Sequence, residues 1–196
     1  MDFVFLIGPS AVGKTTLAKA LFSRLGGVYL EQNMVPEFTI PEGVEDIGDF
    51  EETLCWDNVV AQLNLFHSRG CRNIIALDFD DRRARELPQL FYGKRFLILR
   101  LFSSDPQQIL RQMIHRRDNE GGLFAPDNVE RSNAVIASRP LLPNEVRLDV
   151  AGKTKDEVLA EALNIIASFT PALSYSYDLP DETCYLSWVQ SRQNTL

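Results

Sequence analysis

The sequence predicts an α/β protein, a parallel sheet with helices on both faces in three layers. Three observations carry that expectation. Strand-like apolar runs alternate with helical patterns along the chain, as crossover connections between parallel strands require. The NIIAL run at 73–77 is continuously apolar, the pattern of a central strand buried on both faces. The strand-like Phe3-Val4-Phe5-Leu6-Ile7 leads through a glycine-containing turn into the helix-like Thr16-Leu17-Ala18-Lys19-Ala20-Leu21, a strand–loop–helix unit.

A chain of 196 residues suits one such domain. Its 45% hydrophobic and 24% charged residues supply an ordinary globular core. The net charge of −7 argues against a general nucleic-acid binder, which presents a basic surface. Cys55, Cys71 and Cys184 are odd in number and scattered, which reads as reduced thiols. The first apolar run has no basic segment ahead of it and stops after five residues at Gly8. It is neither a signal peptide nor a membrane span, so the expectation is a cytoplasmic protein without membrane partners, monomeric or homodimeric.

The elements follow in order. Gly26-Gly27 stops the first helix, and Val28-Tyr29-Leu30 makes a short second strand. Residues 33–48, with Pro36, Pro41, Gly43 and Gly48, read as a loop. Asp49 and Glu52 then open a helix that turns Leu54, Val59, Leu63 and Phe66 to the core and ends at Gly70. The central strand at 73–77 closes in Asp78, and a short helix near 81–90 leads to the strand Phe96-Leu97-Ile98-Leu99. Asp105-Pro106 starts a helix whose apolar stripe is Ile109, Leu110, Met113 and Ile114. Residues 145–150 form the last strand, and a capping box of Thr154 and Glu157 opens a helix to about Phe169. The tail at 170–196 carries Tyr175, Tyr177, Tyr185 and Trp188; it reads as an extended crossing and a short helix packed on the domain, because such aromatics are costly to expose.

The chemistry concentrates at Gly8-Pro9-Ser10-Ala11-Val12-Gly13-Lys14-Thr15, which spells G-x-x-x-x-G-K-T in strand–loop–helix context. Such a loop curls the backbone amides of Gly8, Ser10, Ala11, Val12, Gly13 and Thr16 around phosphates, and the helix N-terminus adds partial positive charge. Lys14 reaches the β- and γ-phosphates, and the Thr15 hydroxyl binds Mg²⁺. A nucleoside triphosphate is the implied ligand.

Three further groups could complete phosphoryl transfer. Asp78, at a strand C-terminus, stands where open parallel sheets place ligands, and would hold a metal-bound water or take the acceptor's proton. A solvated strand-ending aspartate has the same appearance, and Asp80 and Asp81 share the ambiguity. Glu31 ends the second strand on the same edge and is a candidate general base, though a surface glutamate explains it equally. Arg111, His115, Arg116 and Arg117 complement the negative C-terminal end of their helix; as a functional set, Arg111 and Arg116 would clamp the triphosphate and the moving phosphoryl group. The polar break Asp118-Asn119-Glu120-Gly121-Gly122 after them suits a closing lid at about 115–130.

With GPSAVGKTT at 8–16, the strand-ending aspartate of NIIALDFD at 73–80, RQMIHRR at 111–117 and LDVAGKTKDEV at 148–158, the chain resembles the P-loop small-molecule kinases. That group includes nucleoside monophosphate kinases, shikimate and gluconate kinases, and small antibiotic-phosphorylating enzymes. The resemblance spans residues 1–169 and leaves the tail uncovered. It implies a P-loop NTPase fold with a five-stranded sheet in the order 2-3-1-4-5, a mobile lid, and ATP with Mg²⁺ as phosphoryl donor. By position, Gly152 and Lys153 would lie beside the adenine, Thr15 and Asp78 would serve the metal, and Arg111 and Arg116 would be the lid arginines. Glu31-Gln32-Asn33 replaces the acidic pair that the group carries after its second strand. The expected activity is transfer of the ATP γ-phosphoryl group to a small metabolite, nucleoside, nucleotide or antibiotic-like acceptor. The alternative is a nucleotide-binding switch or regulatory ATPase acting through a protein partner.

Overall fold

A computed structural model of the chain describes residues 1–120 and 129–179. Five strands, β1 (Phe3–Ile7), β2 (Val28–Glu31), β3 (Ile74–Leu77), β4 (Phe96–Phe102) and β5 (Glu145–Asp149), form one sheet in the order β2-β3-β1-β4-β5. Every neighbouring pair is parallel. Seven helices occur among the described residues: α1 (Lys14–Leu25), α2 (Ile47–Ser68), α3 (Asp81–Ala84), α4 (Leu87–Leu90), α5 (Pro106–Glu120), α6 (Val129–Ser138) and α7 (Lys155–Ser168).

The two-residue period of a strand explains the three layers. Val4 and Leu6 of β1 turn to one face, where they join Leu17 and Leu21 of α1, Ile109 and Met113 of α5, and Val158 and Ala162 of α7. Phe3, Phe5 and Ile7 turn to the other and pack with Trp56, Val59 and Leu63 of α2 and with Phe91 and Phe96. All five residues of β1 are buried, as expected of the middle strand. The sheet edge at the strand C-termini is thereby held between two cores, and the loops that leave it carry the chemistry.

Several local expectations are corrected. The second long helix begins at Ile47, and its cap is Asp46, whose side chain accepts the Asp49 N–H at 2.9 Å. Glu52 is therefore free for another use. The inward stripe of α2 is Trp56, Val59 and Leu63, spaced i, i+3, i+7, whereas Leu54 is 38% exposed. Two residues from Trp56, it points the opposite way around a 3.6-residue turn. The stretch near 81–90 is two one-turn helices; Pro88 lacks the N–H that a continuous helix would need there. Helix α6 has no counterpart in the sequence reading. It is fastened by the buried Asn133, which accepts from the Ser103 N–H and donates to the Ser103 carbonyl.

The α7 capping box forms as its sequence indicates: the Thr154 side chain accepts from the Glu157 N–H, and the Glu157 carboxylate accepts from Thr154. Residues 170–179 lie along the sheet edge and the α3–α4 segment. Asn144 pairs with Ala172 through both backbone groups. Tyr175 donates to the Pro88 carbonyl at 2.7 Å and Tyr177 to the Arg85 carbonyl at 2.9 Å. The rest of the expected tail, including Tyr185 and Trp188, and the middle of the expected lid at 121–128 lie outside the described residues.

Candidate functional site

The loop between β1 and α1 is built for an anion. Gly8 has φ 149°, and a Cβ there would meet the Leu101 carbonyl oxygen at 2.5 Å. Gly13 caps α1 in the left-handed region at φ 101°. Only glycine adopts these conformations without strain. Helix α1 has no side-chain cap bond and no acidic residue in its first turn. Its leading N–H groups and positive dipole end are left for a ligand.

Lys14 begins this helix and folds back over the loop. Its ammonium donates to the carbonyls of Gly8 at 3.0 Å and Pro9 at 3.1 Å, and stands 4.0 Å from a carboxylate oxygen of Asp78. Burial pulls the Lys14 pKa below the usual lysine value; the negative Asp78 opposes the shift and Arg116 adds to it. Burial likewise pushes Asp78 up, offset by Lys14 and reinforced by Glu31. Asp78 directly follows β3, next to β1 in the sheet, and takes a positive φ of 69°. That conformation turns the carboxylate toward the phosphate loop, and aspartate tolerates it better than most residues.

One cleft of about 1490 Å³ runs over this edge. Single-ligand sites hold roughly 300–1,000 Å³, so there is room for a nucleotide and a second small molecule. Gly8, Ser10, Ala11, Val12, Gly13, Lys14, Thr15, Thr16 and Asp78 all line it, as do Arg116 and Lys153. The Lys153 ammonium is held by the Asp149 carbonyl at 2.7 Å and Glu161 at 2.5 Å. Gly152 is exposed and does not line the cleft; its N–H donates to the Gln108 side-chain oxygen at 2.9 Å.

Three sequence-named residues, Gly152, Arg111 and Glu31, do not line the cleft. Arg111 is largely exposed and pairs with Asp105 at 3.1 Å. Arg111 and Arg116 are five positions apart, roughly 140° around a helix of 3.6 residues per turn, so they leave α5 in different directions, and Arg116 lines the cleft whereas Arg111 does not. The face of α5 that lines the cleft is Gln108, Gln112, His115 and Arg116, spaced i, i+4, i+7, i+8. That spacing is visible in the sequence, but the glutamines gave no charge signal. Glu31 is engaged by the Tyr29 hydroxyl, whose pKa burial and this bond both raise. It influences Asp78 through space without lining the cleft. Arg131 and Ser132 of α6 complete the wall opposite the phosphate loop; sequence reading missed them with their helix.

The donor set fits a triphosphate with its metal: unspent loop amides, a lysine, a threonine hydroxyl and one adjacent carboxylate. Among the described residues, no group of three or more His, Cys, Asp or Glu side chains is placed to hold a metal alone. The fit is therefore to a metal that shares its ligands with phosphate oxygens.

No protein-family model matches the sequence, and no curated protein matches it significantly. Solved structures do share its fold. A gluconokinase from Sinorhizobium meliloti 1021 superposes with a TM-score of 0.61 at 18% identity, over 85% of this chain and 91% of that one. A sugar kinase from Janibacter sp. HTCC2649 gives 0.59 at 19% identity, over 90% and 99%. The tunicamycin resistance protein of Deinococcus radiodurans gives 0.53 at 18%, over 87% and 98%. The chain thus has the fold of the P-loop small-molecule kinases, with the sheet order and phosphate loop in place.

Proposed function

We propose that the chain is an ATP-dependent phosphotransferase that moves the γ-phosphoryl group to a hydroxyl of a small molecule. The observation that carries this reading is the 4.0 Å approach of Lys14 to Asp78 inside a cleft with room for two ligands. Nucleotide binding alone accounts for the lysine and, through the metal, for the carboxylate; the volume beyond a single ligand is what an acceptor needs.

The loop amides and Lys14 bind the β- and γ-phosphates and stabilise charge as it moves onto the leaving oxygen. Thr15, with Asp78 nearby, would hold Mg²⁺, which when bound neutralises phosphate charge. Asp78 orients the acceptor hydroxyl and accepts its proton as the new O–P bond forms and the β–γ bridge breaks. Its raised pKa improves it as a base relative to an exposed aspartate. Arg116, from the opposite wall, would meet the charge on the transferred group. Glu31 acts behind Asp78 by keeping that carboxyl basic, and Lys153 would border the nucleotide base.

Support comes also from the fold neighbours, which include the gluconokinase and sugar kinase above and a shikimate kinase from Acinetobacter baumannii bound to shikimate. The test is a metabolite-library screen for acceptor-dependent ADP release, with the phosphorylated product identified by mass spectrometry. Absence of any acceptor-dependent release from protein that binds ATP would refute the reading.

A further inference from the structure

We infer that the acceptor is a polyhydroxylated molecule, uncharged or amine-bearing, that carries no carboxylate or phosphate. The inference rests on the phosphotransferase reading and narrows its substrate class.

The acceptor end of the cleft is the wall made by Asn33, Asp78, Phe79, Asp80 and Asp81, on the far side of the phosphate loop from Lys153. An anionic acceptor would need a cation there. The sequence supplies several next to this wall, but the structure commits them to carboxylates. Arg83 grips Glu52 through Nε at 3.1 Å and Nη2 at 2.7 Å, and reaches Glu86 at 2.9 Å and the Thr53 hydroxyl at 2.8 Å. Arg139 holds Glu145 with two nitrogens at 3.0 and 2.6 Å and Asp81 with Nε at 3.0 Å. Neither arginine lines the cleft. Arg82 stands 3.5 Å from Asp49, and Arg85 stands 3.8 Å from Asp81.

Among the described residues, the cations that line the cleft come from other elements, and of these Lys14 and Arg116 act on Asp78 through space. Lys14 is on the phosphate loop, Arg116 and Arg131 are on α5 and α6, and Lys153 and Lys155 are at the start of α7. The triphosphate's own negative charge matches them. What the acceptor wall presents instead is acceptors of hydrogen bonds. Asp78 stands 4.0 Å from Lys14, with Arg116 and Glu31 also acting on it through space, and Asp80 accepts the Arg83 N–H at 2.8 Å with one oxygen while lining the cleft. Ionised carboxylates accept and never donate, so they select hydroxyl and ammonium groups. A second carboxylate or a phosphate set beside them meets like charge in a partly desolvated site.

The experiment is a matched panel with saturating ATP. It contains hexoses and alditols, the matching amino sugars and aminocyclitols, the matching aldonic and uronic acids, and the matching sugar phosphates. ADP release and product mass are the readouts. The expected result is kcat/KM for the best neutral or amino member at least about tenfold above its acid and phosphate counterparts, as like-charge rejection produces. Equal or better turnover of the acid or phosphate members overturns the inference and leaves the phosphotransferase reading standing. If protein that binds ATP turns over no member of any class, the phosphotransferase reading fails and this inference falls with it. Asp80→Asn adds an independent arm, because asparagine still caps α3. It should lower the ratio of amino to neutral kcat/KM by about fivefold, the upper range for an accessible ion pair. An unchanged ratio removes Asp80 from acceptor selection.

Discussion

Lys14 is tethered to two carbonyls of its own loop, so its ammonium is already at the phosphate position and loses little freedom when it acts. We expect Lys14→Ala to lower kcat by about 10²–10³, the usual cost of one preorganised donor to developing charge. Far-ultraviolet circular dichroism should be unchanged, since the side chain joins neither core. Turnover within a few-fold of wild type would dismiss the loop lysine from the reaction. Asp78 carries a pH prediction. Its carboxyl is raised above the ordinary aspartate range of about 4. The ionised form is the one that accepts a proton, so activity must fall as pH drops through the raised value. The acid limb of the kcat/KM profile therefore lies above that of a free carboxylate. In Asp78→Asn the residual activity should show no such limb, whereas a limb at the same pH would place the titrating group elsewhere.

At the scale of elements, two carboxylate–arginine clusters hold the acceptor wall. One ties α2 to α3 through Glu52 and Arg83. The other ties β5 to the start of α3 through Glu145, Arg139 and Asp81, with Arg100 of β4 buried beside it. Burial draws the Arg100 guanidinium down to about 10; Glu145, with Asp81 behind it, supports its charge, and Nη1 donates to the carbonyls of Ile136 at 2.8 Å and Arg139 at 2.6 Å. Removing one side of a fully buried pair costs about 3–5 kcal/mol, because the remaining charge has no water. Glu145→Gln should lower folding stability by that order in urea melts, and a loss under about 1 kcal/mol would mean that water reaches the cluster. The tail segment reaches the same wall. Tyr177 donates to the carbonyl of Arg85, which sits against Asp81, and burial raises the Tyr177 hydroxyl pKa against the opposing pull of Arg85 and Arg139. Tyr177→Phe should cost about 1 kcal/mol of stability and raise KM for the acceptor more than KM for ATP. Equal effects on both would assign the tail to stability alone.

At the scale of the whole molecule, the cleft joins elements that have no other reason to move together: the phosphate loop, α5 through Arg116, and α6 through Arg131. On the proposed function, a triphosphate bridging them would have to order those helices, and water would have to be kept from the phosphoryl group until the acceptor arrives. Hydrogen exchange in residues 111–119 and 129–138 should slow modestly with an ATP analogue and strongly when acceptor is added. Full protection of both helices without ligand would show a cleft that does not close.

What the sequence determined was local, though not every local feature: the cap of α2 and helix α6 were found only in the structure. The strand–loop–helix at 3–25, the capping box of Thr154 and Glu157, and the alternation that makes a parallel sheet all follow from neighbours within a few positions, where backbone geometry alone sets the outcome. The phosphate loop is the clearest case, because its ligands are consecutive amides. The tertiary structure decided which side chains meet. Arg111 and Arg116 look equivalent in a row of basic residues, and only the packing of Ile109 and Met113 against the sheet turns one outward and the other over Lys14. The arginines at 82–85 and Arg139 look available for an anionic ligand until the fold sets Glu52, Asp81 and Glu145 against them, from as far as 58 positions away. Charge is written in the sequence, but whether it is spent is settled by distance in space, and that is what fixes the character of the acceptor wall.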